Sequence, residues 1–310
     1  MKLLNYDLER ILPGNYMIIN NYKNEKFIKW IVNYNCNYNC SYCFERDFHK
    51  KDISVNNIIE TAYKIKSFID KNNLTSIILL GGEFFLLDEK IIFKILNILK
   101  NKKLNLYIIT NFSKENSVYK KIYELAKENF NKFEYKFSFH DEYITINNFF
   151  NKVEDFLKEN KEVNVKLQFT LTNKTEKFLQ NFLDGVKKLK SKGYNISEHV
   201  EKAYSFKDNR KTVYFSNVKT KLFKTFNVNG KETLAEELFK NGPLDNYGVK
   251  CFQPFFHLEN NVLYSHCYGR IITKDFLNYD FEKIDFNFVC NRHSCLIYKT
   301  SIIYGKSYGI

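Results

Sequence analysis

From Lys26 onward, short apolar runs alternate with stretches in which apolar residues recur every three or four positions. Phe27–Val32 predicts a strand. Val55–Asp70 predicts a helix, with Ile58, Ile59, Ala62, Ile65, Phe68 and Ile69 on one face. Ser76–Leu80 is a nearly unbroken apolar run that stops at Gly81-Gly82, as a buried parallel strand would. The alternation continues as helix Lys90–Leu99, strand Leu104–Ile109, helix Val118–Phe130, strand Phe133–Phe139, helix Ile146–Leu157, strand Val163–Leu171 and helix Phe178–Leu189. Tyr194–Val200 adds one further strand. Such repetition with right-handed crossovers makes a parallel sheet, open or curled into a barrel, whose post-strand loops share one end. That end collects a Cys-rich loop, Gly81-Gly82-Glu83, Thr110-Asn111 and His140.

After about Glu201 the rhythm changes. Thr212–Asn227 alternates like antiparallel strands, Thr233–Lys240 reads as helix, and 241–310 is rich in loops. Phe255–Leu258 and Val262–Ser265 flank Glu259-Asn260-Asn261, a hairpin signal that would bring Cys251 and Cys267 together.

Length and composition narrow the classes. A chain of 310 residues with 44% hydrophobic, 17% aromatic and 27% charged residues can bury a core and is not disordered in character. No uncharged apolar run reaches the roughly 18–20 residues of a membrane helix, so no membrane partner is expected. Asp7, Glu9 and Arg10 interrupt the stretch where a secretory signal would be apolar, so a cytoplasmic location is expected. In that setting seven cysteines read as metal or redox ligands rather than disulfides. The net charge of +13 comes almost wholly from Lys scattered along the chain. Nucleic-acid readers lean on Arg for bidentate contacts, so nucleic acid is possible and not favoured as a partner.

Cys36-Asn37-Tyr38-Asn39-Cys40-Ser41-Tyr42-Cys43 places three thiols on one loop. Three thiolates can each take one iron of a cubane and leave the fourth iron open, whereas a closed cluster normally takes four. A zinc knot would need a fourth ligand from Glu45, His49 or a remote group. The spacing, with aromatic Tyr42 before the third Cys and Gly81-Gly82-Glu83 ending the next strand, resembles the radical S-adenosylmethionine (radical SAM) superfamily. The resemblance implies a [4Fe–4S] cluster on Cys36, Cys40, Cys43 and S-adenosylmethionine. It also implies reductive cleavage to a 5′-deoxyadenosyl radical, which takes hydrogen from a substrate. Glu83 would accept from the methionine ammonium, glycines 81 and 82 would admit the ligand, and Tyr42, Asn111, Ser138 and Gln168 become cofactor contacts. Phe112 stands where relatives often have Gly. His140, where many relatives are acidic, is a candidate catalytic proton donor or acceptor, or else a packed polar residue.

Cys251, Cys267, Cys290 and Cys295 match the complement of a closed cluster. The stretch resembles the shorter, twitch form of the SPASM/twitch auxiliary-cluster domains. A four-cysteine zinc site, or a mixed set with His257, His266 or His293, is the alternative there. The expected fold is α/β: an N-terminal extension (1–25), a partial (β/α)6 TIM-like barrel (26–205), a strand/helix connector (206–244) and a small loop-rich α+β cluster-binding domain (245–310). The expected activity is net oxidation or cross-linking of a peptide, protein side chain or sugar-like metabolite, with an external one-electron donor of flavodoxin or ferredoxin type. Modification of RNA, and a zinc-stabilised nucleic-acid binder, are the rival readings.

Overall fold

The computed structural model describes residues 16–20, 26–43, 53–207, 211–214, 225–228, 231–234, 250–252, 255–265, 271–281, 284, 287–289 and 301–305. After β1 (Tyr16–Asn20) come β2 (Phe27–Ile31), α1 (Val55–Asn72), β3 (Ser76–Leu80), α2 (Glu89–Leu99), β4 (Asn101–Thr110) and α3 (Asn116–Asn129). β5 (Phe130–Phe139), α4 (Ile146–Glu159), β6 (Asn164–Leu171), α5 (Leu179–Ser191) and β7 (Ile196–Lys202) follow. Each strand and helix expected up to Val200 is present, with ends shifted by a few residues. Helix starts are set by local chemistry: Ser54 Oγ accepts from Asn57 N at 3.2 Å, Asp88 Oδ1 from Lys90 N at 2.7 Å, and Thr145 Oγ1 from Asn148 N at 3.3 Å.

Strands β2 to β7 lie side by side in chain order and are all parallel. One face of this sheet shares a single core with all five helices: Ile77, Leu79, Leu106, Ile108, Phe137 and Leu167 pack with Ile65, Ile95, Ile122, Phe156 and Phe182. The opposite, inner face carries Lys29, Tyr107, Lys136, Lys166, Gln168 and His199, all half-buried. The burial of β6 alternates along its whole length as a result.

The six parallel strands expected of a partial (β/α)6 barrel are present, and among the described residues the sheet does not close on itself. The free edge of β2 is taken by β13 (Phe255–Glu259), which runs parallel to it, and β14 (Val262–Ser265) and β15 (Ile271–Thr273) extend the sheet antiparallel to nine strands. The β13–β14 hairpin turns on Asn260 (φ 46°) and Asn261 (φ 63°), two left-handed residues as a type I′ turn requires. It therefore forms as expected but joins the main sheet, so that sheet crosses the expected boundary of the C-terminal domain. Hairpins β8–β9 (Tyr204–Lys207, Lys211–Tyr214) and β10–β11 (Thr225–Val228, Lys231–Leu234) supply the expected antiparallel pairs. Thr233 and Leu234 end the second hairpin as strand, where helix was expected; pairing with Phe226 and Thr225 overrides the local periodicity. A second sheet orders β16 (Asn287–Val289), β12 (Lys250–Phe252), β1 and β17 (Ser301–Gly305), so the N-terminal strand joins C-terminal segments.

Candidate cluster-binding site

The Cys loop leaves β2 lying against the end of β3. Val32 N donates to Leu80 O at 2.8 Å, Gly82 N to Asn33 O at 3.0 Å, and Glu83 N to Asn35 O at 2.8 Å. Asn33 Nδ2 returns a bond to Glu83 O at 3.1 Å. A Cβ added at Gly81 would stand 2.3 Å from Asn33 O, and one at Gly82 would stand 2.3 Å from Tyr34 O. The close approach that these glycines permit is thus made by the chain's own backbone.

Glu83 is buried, at 1% exposure. Its Oε1 accepts from Phe85 N at 2.9 Å and Thr110 Oγ1 at 2.7 Å, and its Oε2 accepts from Asn111 N at 2.6 Å. The carboxylate expected to receive an ammonium is held by three donors of the protein and ties the end of β3 to the end of β4. Burial pushes its pKa up, against the pull of those hydrogen bonds. Asn111, placed by that bond, turns its side chain to the Cys loop: Nδ2 donates to Asn37 Oδ1 at 2.8 Å and lies 3.9 Å from Cys36 Sγ. The next residue, Phe112, has φ 56°, a left-handed value that Gly adopts readily and Phe does not. Its ring stacks on Phe137 at 3.8 Å, and Lys152 Nζ lies 4.7 Å over it. Packing holds this left-handed backbone in place of a glycine.

All three cysteines are thiols, two of them half-buried. Cys40 is buried, and its pKa is pushed up to about 12 by burial and then by Cys43, Glu142 and Cys36. Protons would be displaced by metal at such a site. Nitrogens already lie on two sulfurs: Tyr38 N donates to Cys36 Sγ at 3.4 Å, and His140 Nδ1 lies 3.3 Å from Cys40 Sγ. Three thiols on one loop, two of them with nitrogen partners on sulfur, fit the donor set of an iron–sulfur site, whose ligands each take a separate iron. Among the described residues, no three His, Cys, Asp or Glu side chains form a group for a single metal ion.

The loop after β5 clasps this assembly from the other side. His140 Nδ1 also lies 3.0 Å from Tyr42 OH, and the two rings are parallel within 4°. Close packing around the His140 ring pushes its pKa down to about 4, so it is neutral near pH 7. Ser41 N donates to Glu142 Oε2 at 2.9 Å, the Ser41 hydroxyl bonds the same carboxylate, and Asn39 N donates to Tyr143 OH. Tyr38 stacks on Tyr143 at 4.0 Å. Tyr38, Ser41, Glu142 and Tyr143 escaped sequence reasoning. Their contacts join residues about a hundred positions apart, which no local pattern signals.

Ser138 and Gln168 are register partners on the inner face, with His199 beside Gln168. Gln168 Oε1 is buried without a hydrogen-bond partner. Of the C-terminal cysteines, Cys251 lies in β12 between Ile18 and Phe288, and Cys267, Cys290 and Cys295 lie outside the described residues. His266 and His293 do also. His257 sits in β13, where its Nε2 lies 3.5 Å from Glu259 Oε2.

Residues 28–132 match the family model of a 4Fe-4S single cluster domain. Among solved structures, anSMEcpe with bound AdoMet and a peptide aligns at TM-score 0.50 and 18% identity, over 82% of this chain and 78% of that one. A second anSMEcpe structure, with bound AdoMet, aligns at TM-score 0.42 and 21% identity over 56% of this chain. SuiB of Streptococcus suis aligns at TM-score 0.34 and 14% identity over 57% of this chain. In these last two matches the chain spans about half the length of the relative, 51% and 49%. No curated protein matches the chain by sequence. Residues 28–132, which hold all three loop cysteines and Gly81-Gly82-Glu83, are thus similar to the 4Fe-4S single cluster domain, and the fold around them is similar to that of anSMEcpe.

Proposed function

We propose that this chain is a radical SAM enzyme in which Cys36, Cys40 and Cys43 hold a [4Fe–4S] cluster that S-adenosylmethionine completes. One observation carries the reading: three thiols on a single loop, fixed between the ends of β3, β4 and β5, with nitrogen partners on two sulfurs. When bound, that pair supplies the reductive cleavage of the sulfonium and the carbon radical that removes hydrogen from a substrate. The chain's own task is placement. Gly81 and Gly82 seat the loop, Glu83 locks β3 to β4, and Asn111 holds the loop through Asn37. The polar inner face, with Ser138, Gln168 and His199 in register, offers hydrogen bonds to what lies over it.

The substrate class we favour is a peptide or protein side chain, with a sugar-like metabolite as the second choice. Support comes from the structural relative seen with a peptide, and from four further cysteines suited to an auxiliary cluster. Such a cluster would accept an electron after hydrogen abstraction and so favours net oxidation. An external one-electron donor is required.

The test is iron, sulfide and zinc content after anaerobic reconstitution, with 5′-deoxyadenosine release, for the wild type and a Cys36/Cys40/Cys43→Ala variant. About eight irons falling to about four, and loss of deoxyadenosine, are expected. About four irons falling to none with zinc retained would keep the radical chemistry and remove the auxiliary cluster. Zinc alone in both proteins would sink the reading.

A further inference from the structure

His140 ends β5 and is separated from the Cys loop by about a hundred residues of chain, yet its Nδ1 is 3.3 Å from Cys40 Sγ and 3.0 Å from Tyr42 OH. An iron-bound cysteine sulfur can only accept a hydrogen bond. The tautomer with its N–H at Nδ1 is the one that bonds this sulfur, and Tyr42 OH, which also bonds Cys40, can accept from the same ring. We propose that His140 is a positioning residue for the cluster, donating Nδ1–H to the Cys40 sulfur and raising the cluster's reduction potential. This inference rests on the cluster reading above.

The physical reason is charge. One electron from an external reductant takes [4Fe–4S]2+ to [4Fe–4S]+, and the added negative charge spreads onto the sulfurs. A donor on a sulfur stabilises the reduced state more than the oxidised one, and hydrogen bonds to sulfur are a main control of such potentials. No bond to His140 forms or breaks, and its proton stays on Nδ1. Glu142 pulls the other way as an anion, but it is exposed and bound to Ser41 N, so solvent and salt screen it. The His140 contact is direct. The ring is fixed by its parallel packing with Tyr42 and by Tyr38, whose ring meets it edge-on at 5.6 Å.

The experiment is an anaerobic redox titration of the reconstituted full chain with dithionite. It follows the electron paramagnetic resonance signal that changes when S-adenosylmethionine is added. His140→Phe keeps a flat ring and loses the donor, whereas His140→Asn places an amide N–H near the position of Nδ1. The expected result is a reduction equilibrium about tenfold less favourable in His140→Phe, about 59 mV for one electron, with His140→Asn near the wild type. A His140→Phe midpoint equal to the wild type overturns the proposal, as does an equal shift in both variants. A second measurement needs no variant: 15N-histidine wild type should show nitrogen hyperfine coupling on that same signal, and its absence overturns the proposal. Failure of the wild type to form any cluster would instead fell the cluster reading, and this inference with it.

Discussion

The two faces of the central sheet are built from the same strands and obey opposite rules. On the helix-covered face, Phe112, Tyr119, Tyr135, Phe137 and Phe156 pack ring against ring, with centroids 3.8 to 6.3 Å apart. On the inner face, Lys166 pairs with Glu134 at 3.0 Å, and His199 with Glu201 at 3.4 Å. Parallel strands covered on both sides read as continuous apolar runs, as β3 does, whereas β6 alternates residue by residue. The difference separates two tasks along one strand: the outer face stabilises the fold, and the inner face is free to be polar.

The largest test of that separation is on the outer face. Phe137→Ala removes a fully buried ring that touches Phe112, Tyr119, Tyr135 and Phe156, and should cost about 3–5 kcal/mol in denaturant unfolding. A cost under about 1 kcal/mol would mean that this core collapses around the gap and is not the main source of stability.

His257 breaks the comparison in an instructive way, because it stands on the inner face and is fully buried. Burial is the main cause that pushes its pKa down to about 4, with nearby Lys29 in the same direction and Glu259 opposing. The unfolded chain binds this proton below about pH 6.5 and the folded chain only below about pH 4. Stability from the neutral ring is therefore complete above pH 6.5 and is lost as pH falls toward 4, by about 3 kcal/mol at most. His257→Gln should flatten the pH dependence of unfolding free energy by that amount across this window. A slope unchanged from the wild type would show that the ring charges freely while folded.

Gly82 lies at the seam of the two faces, where the cluster loop crosses the end of β3. Gly82→Ala forces a Cβ into Tyr34 O and should cost about 1–3 kcal/mol, together with reduced iron uptake by the three-cysteine site. Unchanged iron content and an unchanged unfolding midpoint would show that the loop has a second way to sit.

Much of this was legible in the sequence, for physical reasons. Apolar runs at β2 and β3, alternation at β6 and a 3.6-residue period in the helices marked these elements, because burial on one or both faces imposes each pattern. Cys36, Cys40, Cys43 and Gly81-Gly82-Glu83 stood out because few chemistries need those residues at those spacings. What stayed hidden depends on long-range register. Nothing near residue 255 says that β13 pairs with β2, and nothing near 140 says that its ring reaches Cys40. The same holds at the glycines: a sequence shows that something comes close, and only the fold shows that Asn33–Asn35 does. The C-terminal cysteines beyond Cys251 lie outside the described residues, so their grouping rests on number and resemblance.

The smallest stability effect is expected at Gln168, and there the comparison is sharpest. Its side-chain oxygen is buried with no partner, between Ser138 and His199 on the inner face. An unsatisfied buried acceptor is a cost the fold already bears, so Gln168→Leu should leave unfolding free energy within about 0.5 kcal/mol of the wild type or slightly improve it. If that oxygen is kept for a bound molecule, the same change should lower kcat/KM about tenfold, equivalent to about 1.4 kcal/mol of transition-state stabilisation. A variant that loses stability like Phe137→Ala while keeping its turnover would reverse the assignment of the two faces. Gln168 would then be a packing residue, and the polar inner face would need another explanation than ligand contact.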